Sequence, residues 1–380
     1  IERFRGFQNE DFEVGSLLTA IAGQNGTQKS TLRGIITQTF TLKTEDSMRV
    51  EKPLCGGSYI SAFKDKFRLS PTFDKPKGHE WTISFDAGMD DFTVESIKRT
   101  GDPNVRFWKK GARQEGDGYI SFPTIFLSLK RLVPVAEEAK IITDDTLLTQ
   151  EELNEFKQLH NKILIAQTPI SSATTITSKN KQSIGVSTEL YDWNQNSMGQ
   201  DNLGKIILAL FSFKRLHDKY PRQYKGGILA IDEMDATMYP ASQVELLKVL
   251  RKYASKLNLQ ILFTTHSMSL LKAMDDLVQE VTKKEETANQ AKILYLKKVD
   301  DKIAIKQGVN FKGIQLDLNV VAEGNNRKKN RITAYTEDKE NILFVKAILK
   351  SKAFVLDFVD VTLPCSTLME LVTKRAPAFI

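Results

Sequence analysis

Residues 22–31 read AGQNGTQKST directly after an apolar, strand-like run, and this segment constrains the fold more than any other. A loop that cradles phosphates needs successive backbone N–H groups facing one concavity, a lysine for the outer phosphates and a hydroxyl for Mg²⁺. Gly23, Gly26, Lys29 and Ser30 supply these in that order, so a strand, a loop and a helix must follow one another and the ligand is a nucleoside triphosphate. The expected contacts of that triphosphate are Gln24, Asn25, Gly26, Thr27, Gln28, Lys29, Ser30 and Thr31, with Ser30 also on the metal. Gln28 stands where the usual G-x-x-x-x-G-K-[ST] pattern has its second glycine. Two outcomes are open: Gln28 adopts a backbone conformation that glycine tolerates more cheaply, or it projects outward. Taken alone, the segment is also compatible with a Gly-rich turn that precedes a helix by chance.

The 380 residues allow one large α/β domain and a smaller unit. The two cysteines, Cys55 and Cys365, are far apart without metal-ligand spacing, and with four histidines they argue against a disulfide framework or a zinc site. That composition suits a reducing cytoplasm. No apolar run reaches bilayer length and no signal segment opens the chain, so a soluble cytoplasmic protein without membrane contact is expected. The first residue is Ile1, not Met, as in a piece of a longer chain. A net charge of +7, from 54 basic and 47 acidic residues, is a lean that leaves nucleic-acid contact open, because the charges are interspersed.

Residues 1–6 and 12–21 read as two strands feeding the loop, with a helix over 30–41. Alternating runs such as WTISFDAG and YISFPTIFLSL, within 59–92 and 119–127, predict antiparallel strands of a β-rich subdomain. Between 135 and 183 the character changes. EELNEFKQLHNKILI sets Leu153, Phe156, Leu159, Ile163 and Leu164 at helical spacing between polar loops, which predicts a helical insertion over about 136–185 projecting from the core. It is either a partner-binding arm or an ordinary packing helix. From Leu203 onward a helix to about 220, a strand over 227–231, a helix over 241–256 and a strand over 260–264 imply a parallel sheet with ligands at its strand ends. A strand pair in AKILYLKKVDDKIAIKQ follows, and the polar run 323–331 is the expected boundary.

The run GGILAIDEMD ends an apolar strand in Asp232 and Glu233. A carboxylate at the tip of a buried strand beside a phosphate loop can hold the Mg²⁺ shell, and a second can polarise the attacking water. Asp232 is the expected metal-side residue and Glu233 the expected general base; the alternative is an acidic pair that merely ends a strand or caps a helix. In TTHS, His266 stands at the next strand tip, where an imidazole can hydrogen-bond the terminal phosphate or the water. Ahead of the long helix, NQNSMGQDN offers Ser197, Gly199 and Gln200; a hydroxyl and free backbone N–H groups at a helix start form an anion site.

Together these four motifs resemble an ABC-type ATPase of the branch that includes the RecF, SMC and overcoming-lysogenization-defect (OLD) proteins, over about 1–306. The resemblance implies an α/β P-loop head in which Ser197, Gly199 and Gln200 reach the γ-phosphate held by a second copy, so that ATP closes a head dimer or a higher homo-oligomer. Asp235, Ala236 and Thr237 stand where that family has its dimer-contacting loop. No counterpart of its Q-loop glutamine is assignable. GQNGTQKST, KFRLSPTFDKP, FLSLKRLVPV and YDWNQNSMGQDN are most similar to the PtuA family of ATPase subunits of Septu anti-phage systems, which also accompany some retrons. That resemblance implies an HNH nuclease subunit (PtuB-like) as partner, regulated by ATP occupancy, and in the retron-associated cases a reverse transcriptase with its RNA and DNA.

TAYTEDKENILFVKAILKSKAFVLDFVDV reads as strand, helix, strand, and Glu337 at the first strand's end resembles the opening of a Toprim nuclease domain. The later D-x-D pair of such a domain does not follow, since Asp357 and Asp360 are spaced otherwise. The expected organisation is therefore an ATPase domain over 1–322 and a partial, degenerate Toprim-like segment over 331–380, without nuclease activity of its own. An OLD-type nuclease and a DNA-repair or SMC-like DNA clamp are the competing functional readings.

Overall fold

The computed structural model describes residues 1–60, 66–70, 72–86, 88–98, 105–111, 118–132, 141–144, 147–178, 182–322 and 332–373. The expected boundary at 323–331 lies outside them. The chain divides into two compact units, Ile1–Leu316 and Asp317–Ile380, so the break falls within the helix Phe311–Ala322 and not after it.

The first unit is organised by a six-stranded sheet in the order Lys302–Lys306, Ala291–Val299, Leu18–Gly23, Leu259–Thr264, Gly227–Ile231, Thr124–Leu127. The hairpin at one edge is antiparallel, and every pairing from Ala291–Val299 across to Thr124–Leu127 is parallel. LTAIAG and GILAI are buried at every position, as strands covered on both faces require. Register pairs Ile231 with both Phe263 and Leu127, and Thr264 with Ile21, so the carboxyl ends of four strands reach one edge together. Helices Lys29–Gln38, Pro240–Leu257 and Met268–Val281 connect them, the second opened by a proline at its first position and the third capped by the Ser267 hydroxyl.

A five-stranded antiparallel sheet runs Phe7–Gln8, Arg3–Phe4, Glu80–Ile83, Phe92–Lys98, Val105–Lys109. Its core is aromatic, with ring centroids of Phe4 and Phe67 5.2 Å apart and those of Trp81 and Phe107 also 5.2 Å apart. The same cluster takes in Ile21, Leu32 and Leu296, which welds this β-rich subdomain to the phosphate-loop strand and helix.

Three expectations need correction. The stretch 12–17 is not strand, because it is held by the 287–290 turn instead: Ser16 N donates to Asn289 O at 2.7 Å and Leu18 N to Gln290 O at 2.9 Å. Thr124–Leu127 and Ile120–Ser121 are not antiparallel; they pair in parallel with Gly227–Ile231 and Phe40–Thr41, and the short, almost wholly buried TIFL belongs inside the central sheet. The helix Gln150–Leu164 does not project. Glu152 accepts from Arg215 at 2.8 and 2.6 Å, Glu155 accepts from Lys214 at 2.5 Å and from Tyr253, and Phe156 and Ile163 are buried, so it is a packing helix. Its neighbours Ile142–Asp144, Ser172–Thr177 and Gln182–Ser187 form an antiparallel sheet, which makes the insertion α+β.

The second unit contains the expected strand, helix and strand, Ile332–Thr336, Lys339–Leu349 and Leu356–Thr362, with the strands parallel. Glu337 is exposed beyond the first strand, and Asp338 beside it caps the helix by accepting from Asn341 N at 2.8 Å. Among the described residues no helix is long and apolar enough to cross a membrane.

Candidate functional site

The loop between Leu18–Gly23 and Lys29–Gln38 is shaped by three residues with positive φ: Gly23 at 149°, Gly26 at 81° and Gln28 at 62°. At Gly23 a Cβ would also meet Leu296 O at 2.4 Å, so both conformation and space demand glycine there. Gln28 takes the first of the two open outcomes: it occupies the left-handed region at the helix N-cap, which costs a non-glycine residue about 1 kcal/mol. Its side chain turns back to the first hairpin, where Gly6 N donates to Oε1 at 3.4 Å. Lys29 is buried and donates to Gly23 O and Gln24 O, both at 2.9 Å, capping its own loop. Burial pulls its ammonium down to about 8 against the attraction of Glu233, Asp232 and Asp235.

Ser30, in the first turn of that helix, donates to both Asp232 oxygens at 3.2 and 3.4 Å. Asp232 further accepts from Thr264 Oγ1 at 2.8 Å and pairs with Arg33 Nη1 at 3.0 Å. One hydroxyl and one carboxylate at this spacing fit Mg²⁺, which keeps waters and takes its remaining oxygens from a bound triphosphate. Among the described residues no cluster of three or more His, Cys, Asp or Glu is found. Glu233 follows in the left-handed region, φ 45°, its N–H donating to Thr264 Oγ1 at 2.7 Å. His266 is exposed at the next strand tip; partial desolvation and Lys29 hold its imidazole below the usual value against Asp235, Glu233 and Asp232, which keeps the ring neutral near neutral pH.

Ser197 is exposed and caps the helix Met198–Lys219 in a reciprocal box with Gln200: Ser197 N donates to Gln200 Oε1 at 2.9 Å, and Gln200 N to Ser197 Oγ at 3.4 Å. Gly199 abuts the loop that follows Glu233, where a Cβ would lie 2.5 Å from Thr237 O. The Ser197–Gln200 turn and the loop 235–237 thereby pack against each other. Loop, carboxylates and His266 thus share one sheet edge, and Ser197, Gly199 and Gln200 stand beside the carboxylate loop.

Four cationic or polar residues were not anticipated. Arg33 lies four residues after Lys29 on one helix face, buried beneath Asp232 with its guanidinium 4.3 Å from the Phe126 ring centre. Arg5, with φ 54°, donates to Thr31 Oγ1 at 3.2 Å while Asp74 holds its other side at 2.9 Å. Arg131 and Asn202 join the helix Met198–Lys219 to the Glu233 turn. The i, i+4 spacing from Lys29 to Arg33 was a readable signal; Arg5 and Arg131 come from remote segments and carried none. Arg5, Ser30, Thr31, Arg33, Arg131 and Asp232 border one cleft of about 930 Å³, which adjoins the metal-side residues Ser30 and Asp232 but is lined by neither residues 23–29 nor Glu233 or His266.

Residues 128–271, which hold Ser197, Gly199, Gln200, both carboxylates and His266, match the family model described as AAA ATPase domain. No curated protein matches the chain. Among solved structures it is similar to the SMC head domain from Thermotoga maritima, with 14% identity over 80% of this chain and 96% of that one and a TM-score of 0.43. An SmcHead bound to the C-winged helix domain of ScpA gives 13% identity over 82% and 97% with a TM-score of 0.44. The Smc head domain with an extended coiled coil bound to the C-terminal domain of ScpA, derived from Pyrococcus furiosus, gives 12% over 84% and 97% with a TM-score of 0.42. The family match, together with a phosphate loop whose lysine and hydroxyl face a strand-tip carboxylate pair, makes this protein an ATPase.

Proposed function

We propose that this ATPase works as a head dimer with ATP held between two copies, and that it regulates an HNH nuclease in an anti-phage complex of the Septu kind. The observation that carries the dimeric reading is the exposed Ser197 turn packed against the loop 235–237, beside the strand ends that bear Lys29, Asp232, Glu233 and His266. In this reading the N–H groups of residues 24–31 cradle the phosphates, Lys29 leaves its own loop carbonyls for the β- and γ-phosphates, and Ser30 and Asp232 hold Mg²⁺. The metal would neutralise charge on the phosphate oxygens. Glu233 accepts the proton of the attacking water, and neutral His266 orients that water or the terminal phosphate. Ser197, Gly199 and Gln200 complete the site of the partner copy.

The defence role, the PtuB-like nuclease partner, a retron reverse transcriptase in some settings and a cytoplasmic location rest on the motif resemblance. So does the reading of the tail as a degenerate Toprim remnant. Size-exclusion light scattering with ATP and Mg²⁺ tests the dimer, where Lys29→Ala loses nucleotide binding and Glu233→Gln accumulates the closed form. Turnover by Glu233→Gln at the parent rate removes Glu233 as base, and failure of an HNH subunit to copurify with the chain in its native host removes the defence role.

A further inference from the structure

The peptide group of Glu233 is gripped at both ends. Its backbone sits in the left-handed region, φ 45°, a strained setting for a residue with a side chain, and such strain persists only where the surroundings over-determine it. On the amide side its N–H donates to Thr264 Oγ1 at 2.7 Å. On the carbonyl side it accepts from Ala236 N at 3.0 Å and from Arg131 Nη2 at 2.8 Å. Arg131 is 1% exposed and spends its other donors on two further segments: Nη1 on Ser128 O at 3.1 Å and Nε on Asn202 Oδ1 at 2.6 Å. Asn202, itself wholly buried, turns its amide the other way and donates to Ala236 O at 3.0 Å. One guanidinium thus joins the end of the strand Thr124–Leu127, the turn that carries the carboxylates and the first turns of the helix headed by Ser197.

We propose that Arg131, seconded by Asn202, is a positioning residue: a clasp that holds the strained Glu233 turn in its working conformation and fastens it to the helix headed by Ser197. The inference rests on Glu233 acting as the base, and it explains why a cation is buried here at all. A guanidinium is costly to desolvate unless its donors are matched, and these are matched to three different segments. It also gives a route by which a copy seated on Ser197 influences hydrolysis, since Asn202 lies five residues along that helix and bonds the same turn.

The test compares ATP binding, turnover and backbone amide exchange across 232–238 in Arg131→Met, Arg131→Lys and Asn202→Ala. Arg131→Met is expected to bind ATP within about threefold of the parent while kcat falls at least about tenfold, because the lost contact acts on the transition state and not on the ground state. Amide exchange at the turn should accelerate, with Arg131→Lys partway back on both readouts. Asn202→Ala leaves the guanidinium in place and should show the same signs more weakly, which keeps the test alive if Arg131→Met does not fold. Unchanged kcat or unchanged exchange in a folded variant overturns the clasp. Glu233→Gln assayed alongside judges the base separately: normal turnover there removes the base while the two Arg131 readouts still decide the clasp.

Discussion

At Lys29 the chemistry is set by where the loop folds, since a lysine on an open helix start would keep its ordinary value. Burial brings it to about 8, and an unfolded chain would hold the same proton to about 10.5. Between those values the unfolded state binds a proton that the folded state has released, so this residue makes stability rise with pH over that window. Nucleotide affinity runs the other way. The triphosphate needs the charged ammonium, so the affinity for a fluorescent ATP analogue is expected to fall as pH rises through about 8. A flat profile across that value would mean that Lys29 does not carry the phosphate contact. Gln28 shows the other residue-scale principle, that a motif position prescribes a backbone conformation before it prescribes a side chain: the glutamine takes the glycine's left-handed geometry and uses its amide to reach Gly6.

The helix Gln150–Leu164 shows what an element can hide behind a clean periodicity. Thr149 and Glu152 close a capping box at its start and Ile165 ends it in the left-handed region, so its boundaries follow from local rules. Its inner face carries His160 beside Phe156, buried to 2% exposure, with Asn161 as its neighbour and no well-formed hydrogen bond to either ring nitrogen among the described residues. Desolvation pushes that imidazole down to about 4. The unfolded chain therefore takes up a proton near pH 6.5 that the folded chain refuses, and stability contributed by the neutral ring is lost as pH falls from about 6.5 toward 4. His160→Leu is expected to keep the fold and to flatten this loss, read as the change in Tm between neutral and mildly acidic buffer. Equal acid sensitivity in parent and variant would place the titration elsewhere.

For the whole molecule, the proposed hydrolysis by two cooperating copies would make the Ser197 surface indispensable although no residue of the phosphate loop depends on it. Ser197→Arg places a large cation at an exposed helix start without touching the core, so nucleotide binding to the single copy is expected to survive while the ATP-dependent dimer disappears from light scattering. A dimer that persists would relocate the interface. Part of this architecture was plain in the sequence: the strand, loop and helix around Lys29 and the strands ending in Asp232 and before His266 each announce themselves by local pattern, whereas the helix expected from Leu203 begins at Met198 behind the Ser197 cap. What went unread was the parallel place of Thr124–Leu127 and the roles of the site's arginines, while the packing of Gln150–Leu164 was one of two readings the sequence left open. Arg5 and Arg131 have no pattern of their own, because their roles come from partners such as Thr31 and Asn202 on separate elements, and Arg33 had only its i, i+4 spacing from Lys29 to mark it while its partner Asp232 is remote.

The sequence by itself determined the chemistry available to this protein: glycines that allow the loop, a lysine and a hydroxyl at its exit, carboxylates at a buried strand's tip, and a serine ahead of a long helix. These are short-range matters, decided by backbone sterics and hydrogen bonding within a few residues. The tertiary structure decided how those groups are held. Sheet register brought Ile231, Phe263 and Leu127 level, so that Thr264, Asp232 and Ser128 meet at one edge. Burial then set the charge on Lys29, and Arg131 fixed the strained turn at Glu233, because desolvation and long-range pairing exist only once remote segments have come together.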